Sequence, residues 1–206
     1  MERISKNAHW ENIYNTKKFE EVSWYIDTPT YFVKLISDLS IPKDANIIDI
    51  GCGESKLLEN LHQKGYHHLS GLDISQKSIE KNKITFSHLT PNINWIVADI
   101  STFEPSEKYY LWHDRAVFHF LTEDNEINHY KEIVSNNITH HGYFILSTFS
   151  KNGPLKCSGL EIKQYNHEDI EKTFGENFDI LHQEYIEHQT PFDTIQNFQV
   201  SVLKRK

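Results

Sequence analysis

The chain has 206 residues, 38% of them hydrophobic and 13% aromatic, with a formal net charge of −8 at pH 7. That apolar content is enough for one well-packed core and excludes wholesale disorder. The acidic balance excludes nucleic-acid binding through a global basic field.

The two cysteines, Cys52 and Cys157, are too few for a four-cysteine metal site or a disulfide scaffold. No apolar run approaches the roughly 20 residues of a membrane span. The N-terminus lacks an apolar signal core, so a cytoplasmic location is expected. Histidine is abundant at 13, yet no His-Glu-x-x-His spacing appears, and the pairs His67-His68 and His140-His141 point opposite ways in extended chain. No metal is expected. Lys204-Arg205-Lys206 is the one basic cluster and reads as a solubilising tail. Without repeats or low-complexity tracts, residues 1–206 read as a single domain.

In chain order, residues 6–18 read as a helix with Trp10 and Tyr14 four apart on one face. Thr28-Pro29 signals a second helix start, and Tyr31, Phe32, Leu35, Ile36 and Leu39 form its apolar stripe. Asn46 to Ile50 is the first strand. Leu57, Leu58 and Leu61 mark a helix that Gly65 ends. A strand near 69–73 precedes a helix capped by Ser75, and a third strand spans 94–98. Only ten residues, with Pro105 among them, then precede the fourth strand, Tyr109 to Asp114, so that crossover is short or poorly helical. Thr122 and Glu123 to Glu126 open the next helix, and Gly142 precedes a fifth strand, Tyr143 to Phe149. Ser150 to Leu160 reads as a loop. A helix near 167–174 is followed by strands at 178–186 and 195–203, joined through Thr190 to Thr194 as a hairpin.

The most informative stretch is Asn46-Ile-Ile-Asp-Ile-Gly-Cys-Gly-Glu-Ser55, a buried strand followed by a glycine turn and a helix. Gly51 and Gly53 permit positive φ and close approach of a ligand to the backbone. Asp49 would repel a diphosphate, so the turn suits a nucleoside that carries donors or positive charge. Asp73 lies about 20 residues past the glycines, where dinucleotide-binding folds place the ribose acceptor. Asp99 and Asp114 close two further apolar runs. A lone Asp at such a position is usually a cap or turn residue. Four in series put carboxylates along the strand-end edge, where doubly wound sheets bind ligands.

These motifs resemble those of the class I S-adenosylmethionine-dependent methyltransferases. Asp-Ile-Gly-Cys-Gly-Glu-Ser at 49–55 is similar to their first motif, with Ser55 where many members have a third glycine. Gly-Leu-Asp-Ile at 71–74 resembles the ribose-binding strand end, and Ala-Asp-Ile at 98–100 the adenine-proximal one. The resemblance implies a Rossmann-like α/β fold with a doubly wound seven-stranded sheet, in order 3-2-1-4-5-7-6 with strand 7 antiparallel. It implies S-adenosylmethionine as cofactor and methyl transfer to an acceptor by in-line displacement. The alternative is a non-catalytic cofactor-binding or regulatory protein on the same fold.

His9-Trp-Glu-Asn-Ile-Tyr14, Val22-Ser-Trp-Tyr25 and Asp114-Arg115 resemble a narrower group that includes the lysine methyltransferases of elongation factor 1A and citrate synthase. By that resemblance Trp10, Tyr14, Trp24 and Arg115 help hold the cofactor, and residues 1–40 form a helical segment over its site. Asp49 then suits the sulfonium, Asp73 the ribose hydroxyls and Asp99 the adenine amino group. Ile74 and Ile100 lie against the ring, and Arg115 near the methionine carboxylate. Trp112 to Thr122 and Gly153 to Leu160 resemble uncharacterised bacterial members more closely. The acceptor is therefore left open between a small molecule and a protein lysine, with no nucleic-acid or membrane partner expected. His113, Asp114 and His119 are the candidate bases near the fourth strand's end, and none is assigned. Oligomeric state is not legible.

Overall fold

The computed structural model describes residues 5–54, 56–88 and 92–206. Ser55, the departure from the three-glycine motif, lies outside them. The seven long strands follow the order β3-β2-β1-β4-β5-β9-β8, the sheet that the sequence implies, with β9 as the reversed seventh strand. By density of contacts the chain divides into two compact units, 1–100 and 101–206.

In the first unit, β1 (Asn46–Ile50), β2 (His68–Asp73) and β3 (Ile93–Val97) run parallel, with Asp49 in register with Gly71 and Asp73 with Val97. Four of the five residues of β1 are buried, as expected of a parallel strand covered on both faces. Among the described residues four α-helices accompany the strands: α1 (Lys6–Thr16), α2 (Thr30–Asp38), α3 (Leu57–Gln63) and α4 (Gln76–Thr85). The Ser5 hydroxyl accepts the Ala8 amide at the head of α1, and the Ser75 hydroxyl accepts the Ser78 amide at the head of α4. Gly71 is small for a packing reason. A Cβ there would stand 2.8 Å from Leu58 and 2.9 Å from Trp95.

In the second unit, β4 (Tyr109–Arg115) pairs parallel with β5 (Ile138–Phe149), which pairs antiparallel with β9 (Ile195–Arg205). The edge strand β8 (Phe178–Gln189) joins β9 through a turn closed by the Thr190 amide on the Thr194 carbonyl. The helices are α5 (Asp124–Asn137) and α6 (His167–Phe174). Three local readings are corrected. Glu123, not Thr122, caps α5, in a reciprocal box with Glu126. β5 begins at Ile138, so Gly142 lies inside the strand. The loop after β5 contains a small hairpin, β6 (Lys156–Cys157) and β7 (Leu160–Glu161), whose turn residues Ser158 and Gly159 both have positive φ. That turn geometry follows the right-handed strand twist. Among the described residues, no helix is long and apolar enough to cross a membrane.

Candidate cofactor site

The first unit gathers most of the residues singled out in the sequence at the C-terminal ends of β1 and β2. Gly51 and Gly53 both adopt positive φ, 63° and 50°, the conformations for which glycine pays no Cβ penalty. Asp73, only 4% exposed, spans the turn: one carboxylate oxygen accepts the Gly53 amide and the other the Ser75 amide, each at 2.9 Å. Each oxygen retains acceptor capacity. Burial pushes Asp73 up to about 6, against the two backbone N–H groups that lower it; the charges of Asp49 and Glu11 add to the rise. Asp49 is buried at 3% exposure.

Tyr14 comes down from α1 onto this turn. Its hydroxyl would lie 2.8 Å from a Cβ placed on Gly53. Burial, with the negative charge of Asp73 next in importance, raises its phenol well above the ordinary range. Trp10 lies beside Tyr14 and Trp24, with ring centroids 6.4 and 5.5 Å apart. The three aromatics therefore form one group, and Tyr14 is its member at the glycine turn. Ile74 is half-buried where the chain leaves β2, Asp99 is half-buried just beyond β3, and Ile100 is buried.

Several residues that the sequence motifs did not single out complete the site. Asn82, 1% exposed on α4, donates to the Gly53 carbonyl oxygen. Both sides of the Gly53 residue are thereby fixed, the N–H by Asp73 and the C=O by Asn82. Asn7 donates to the Ile74 carbonyl at 2.7 Å, and Glu11 accepts the Lys77 amide at 3.2 Å. These bonds fasten α1 to the β2–α4 junction. Lys81 pairs with Glu54 at 2.9 Å, beside the turn.

Asp114 and Arg115 belong to the second unit. The Asp114 carboxylate is fully buried and accepts the Val117 and Phe118 amides and the Tyr130 hydroxyl. It organises the chain turn after β4, which is the capping role a strand-end Asp often has. Arg115 is half-buried, its guanidinium 5.6 Å from the Phe198 ring centroid. His119 is fully buried and its Nδ1 accepts the Phe149 amide at 3.3 Å. Burial, then the charge of Arg115, drives it down to about 3. A neutral ring with Nδ1 already engaged donates through Nε2 and is no base at neutral pH.

A glycine turn and strand-end acid of this kind define a class. Residues 41–200 match the model of a methyltransferase domain, and the chain belongs to that family. By family and fold it is a class I methyltransferase, and one structural neighbour of this fold is a complex with S-adenosylhomocysteine. Among curated relatives, the mouse "EEF1A lysine methyltransferase 2" is 26% identical over 70% of this chain and 66% of its own. The mouse "eEF1A lysine and N-terminal methyltransferase" is 24% identical over 57% of this chain, a match that spans only 17% of that protein. Among solved structures, an S-adenosylmethionine-dependent methyltransferase from Anabaena variabilis aligns over 99% of this chain and 96% of its own, with a TM-score of 0.76 at 16% identity. The N-methyltransferase NodS of Bradyrhizobium japonicum, in complex with S-adenosylhomocysteine, aligns over 98% and 99%, with a TM-score of 0.71 at 13% identity.

Proposed function

We propose that the protein transfers a methyl group from S-adenosylmethionine to a small-molecule or protein-lysine acceptor by in-line displacement. The observation that carries this is the Asp73 carboxylate, fixed at the glycine turn by the Gly53 and Ser75 amides with acceptor capacity to spare. In this reading Asp73 takes the two ribose hydroxyls. Gly51 and Gly53 let the ligand approach the backbone, Asp49 and the Trp10, Tyr14 and Trp24 rings favour the sulfonium, and Asp99, Ile74 and Ile100 hold the adenine. Arg115 serves the methionine carboxylate.

The chemistry asks little more than placement. The cofactor supplies an electrophilic methyl when bound, and orienting the two reactants contributes up to about 7–11 kcal/mol. The lysine methyltransferases among the relatives support a protein acceptor; the N-methyltransferase and the malonyl-[acyl-carrier protein] O-methyltransferase of Ilyobacter polytropus support wider choices. In our reading residues 1–206 act as one domain in the cytoplasm, where the free, buried thiols of Cys52 and Cys157 are at home.

The test is parallel calorimetric titration with S-adenosylmethionine, S-adenosylhomocysteine and NAD, followed by an acceptor panel read by release of S-adenosylhomocysteine. Binding of the sulfur nucleosides alone, with turnover on a panel member, is the expected result. Binding of NAD alone sinks the proposal, and tight cofactor binding with no transfer to any acceptor would make the protein a sensor.

A further inference from the structure

The buried face of α4 is polar. Helices that cover a sheet usually bury an apolar stripe. Here Ser75, Ser78 and Asn82, which share a helix face by their spacing, are each at most 1% exposed beside the equally buried Ile79. Polar groups in such a place are costly unless they are hydrogen-bonded. The Ser75 hydroxyl accepts the Ser78 amide, and the Ser75 amide donates to Asp73. Asn82 bonds much farther along the chain. Its side-chain amide donates to the Gly53 carbonyl, 29 residues back, and lies 3.8 Å from the Cys52 sulfur.

These bonds enclose the centre of the glycine turn. The Cys52 amide donates to the Leu72 carbonyl at 2.9 Å, the Gly53 amide donates to Asp73, and the Gly53 carbonyl receives Asn82. Tyr14 stands on a further side, 2.8 Å from where a Cβ on Gly53 would lie. A glycine has more backbone conformations open to it than any other residue. Gly53 therefore keeps its N–H on Asp73 only while both of its peptide planes are held, and Asp73 and Asn82 hold one each. A neutral amide does this without placing a further charge beside Asp73 and Asp49.

We propose that Asn82 is a positioning residue of the cofactor site: by holding the Gly53 carbonyl it keeps the Gly53 N–H on Asp73, and so keeps the remaining lone pairs of that carboxylate set for the ribose hydroxyls. The inference rests on the methyl-transfer reading above, in which Asp73 meets the ribose. Its signature lies in the titration of Asp73, which the Gly53 and Ser75 amides lower against burial. The groups facing Asp73 are Asp49 from β1, Glu11 and Tyr14 from α1 and Cys52 from the turn, and Lys81 of α4 is paired with Glu54 beside them. Burial raises Tyr14 and Cys52 well above their ordinary values, so neither adds a charge at neutral pH. Asp73→Asn identifies the step that belongs to Asp73 itself.

The test is calorimetric titration of the full chain with S-adenosylhomocysteine from pH 5 to 8. Asn82→Leu and the milder Asn82→Ser are compared with Ile79→Ala, which removes packing from the same helix face and no bond to the turn. Both Asn82 variants are expected to bind about tenfold more weakly at neutral pH. The pH at which affinity climbs should move up by about half a unit or more, because Asp73 loses a bond that lowers it. Ile79→Ala should melt earlier and keep the wild-type affinity and midpoint. Affinity within about twofold of wild type, with an unmoved midpoint, in both Asn82 variants overturns the proposal. An equal loss in Ile79→Ala overturns it too, since Asn82 would then act through packing alone. A second measurement needs no ligand: exchange of the Gly53 amide hydrogen, followed by NMR relative to the core amides of β1, should quicken about tenfold in the Asn82 variants. Wild-type protein that binds no S-adenosylhomocysteine overturns the methyl-transfer reading instead. The exchange rate then decides whether Asn82 holds the turn, and an unchanged rate overturns that as well.

Discussion

The carboxylate of Asp73 receives the amide of Gly53 at 2.9 Å, across 20 residues of chain. One group therefore shapes the glycine turn and, in the proposed reading, also faces the ligand.

Replacing this carboxylate tests the assignment directly. If Asp73 takes the two ribose hydroxyls as proposed, Asp73→Ala removes their acceptor, each charge-assisted bond contributing about 1.5–3 kcal/mol. Affinity for S-adenosylhomocysteine should fall at least about 100-fold. The fold loses the Gly53 and Ser75 bonds but is relieved of a buried charge, so thermal stability should suffer less than binding. Unchanged affinity by calorimetry would remove Asp73 from the cofactor site.

The pH dependence of binding follows from the same group. Burial raises Asp73 to about 6 in the free protein, above the unfolded value of about 3.9. Its contribution to folding is thus fully present below the unfolded value and is lost as pH rises through about 6. Ribose hydroxyls prefer the ionised acceptor, so the cofactor acts in the opposite sense. S-adenosylhomocysteine affinity should climb as pH rises through about 6, and Asp73→Asn should lose that step. A wild-type profile flat across this window contradicts the ribose role.

Gly53 is held by conformation and by space. Gly53→Ala places a Cβ 2.8 Å from the Tyr14 hydroxyl in a residue with φ of +50°. The left-handed backbone alone costs about 1–2 kcal/mol, and the contact adds to it. The melting temperature should fall by several degrees, at roughly 2–4 °C per kcal/mol for a chain of this size. Tyr14→Phe in the same protein should recover the contact part and leave the backbone part. Full recovery would mean that φ imposes no strain.

Much of this arrangement is legible in the sequence, because its signals are local. The apolar runs that carry Asp49, Asp73 and Asp114 are strands, with Asp73 the last residue of β2 and Asp49 and Asp114 one position before the ends of β1 and β4, and Thr190 to Thr194 joins two antiparallel strands. Asn82, Asn7 and Glu11 escape a sequence reading because their partners, Gly53, Ile74 and Lys77, are 29, 67 and 66 positions away. Nothing in the spacing distinguishes these polar residues from solvated ones. The strand-end logic also treats Asp114 like Asp73, since both close an apolar run. Their difference arises from the next residues: the chain after β4 turns back so that Val117 and Phe118 present amides to Asp114. The β6–β7 hairpin is hidden by its length of two residues per strand, below any detectable alternation.

Tyr130 supports the second unit through the same buried acid. Its hydroxyl donates to Asp114 and accepts from the Trp112 indole N–H at 3.2 Å. Tyr130→Phe leaves a buried carboxylate one donor short and the indole without its acceptor. Loss of the charged bond alone costs about 1.5–3 kcal/mol. Burial raises Asp114 to about 6, and the Tyr130 bond is foremost among the contacts that hold it down. Without that bond the acid rises further, so the ionised form bears the penalty. The melting temperature of the variant should fall most, relative to wild type, above pH 7. The gap should narrow as pH drops through about 6 and Asp114 takes up its proton. A gap that is constant from pH 5 to 8 would place the stabilising role of Tyr130 in its ring packing on Phe118 and Phe144 instead of in its hydroxyl.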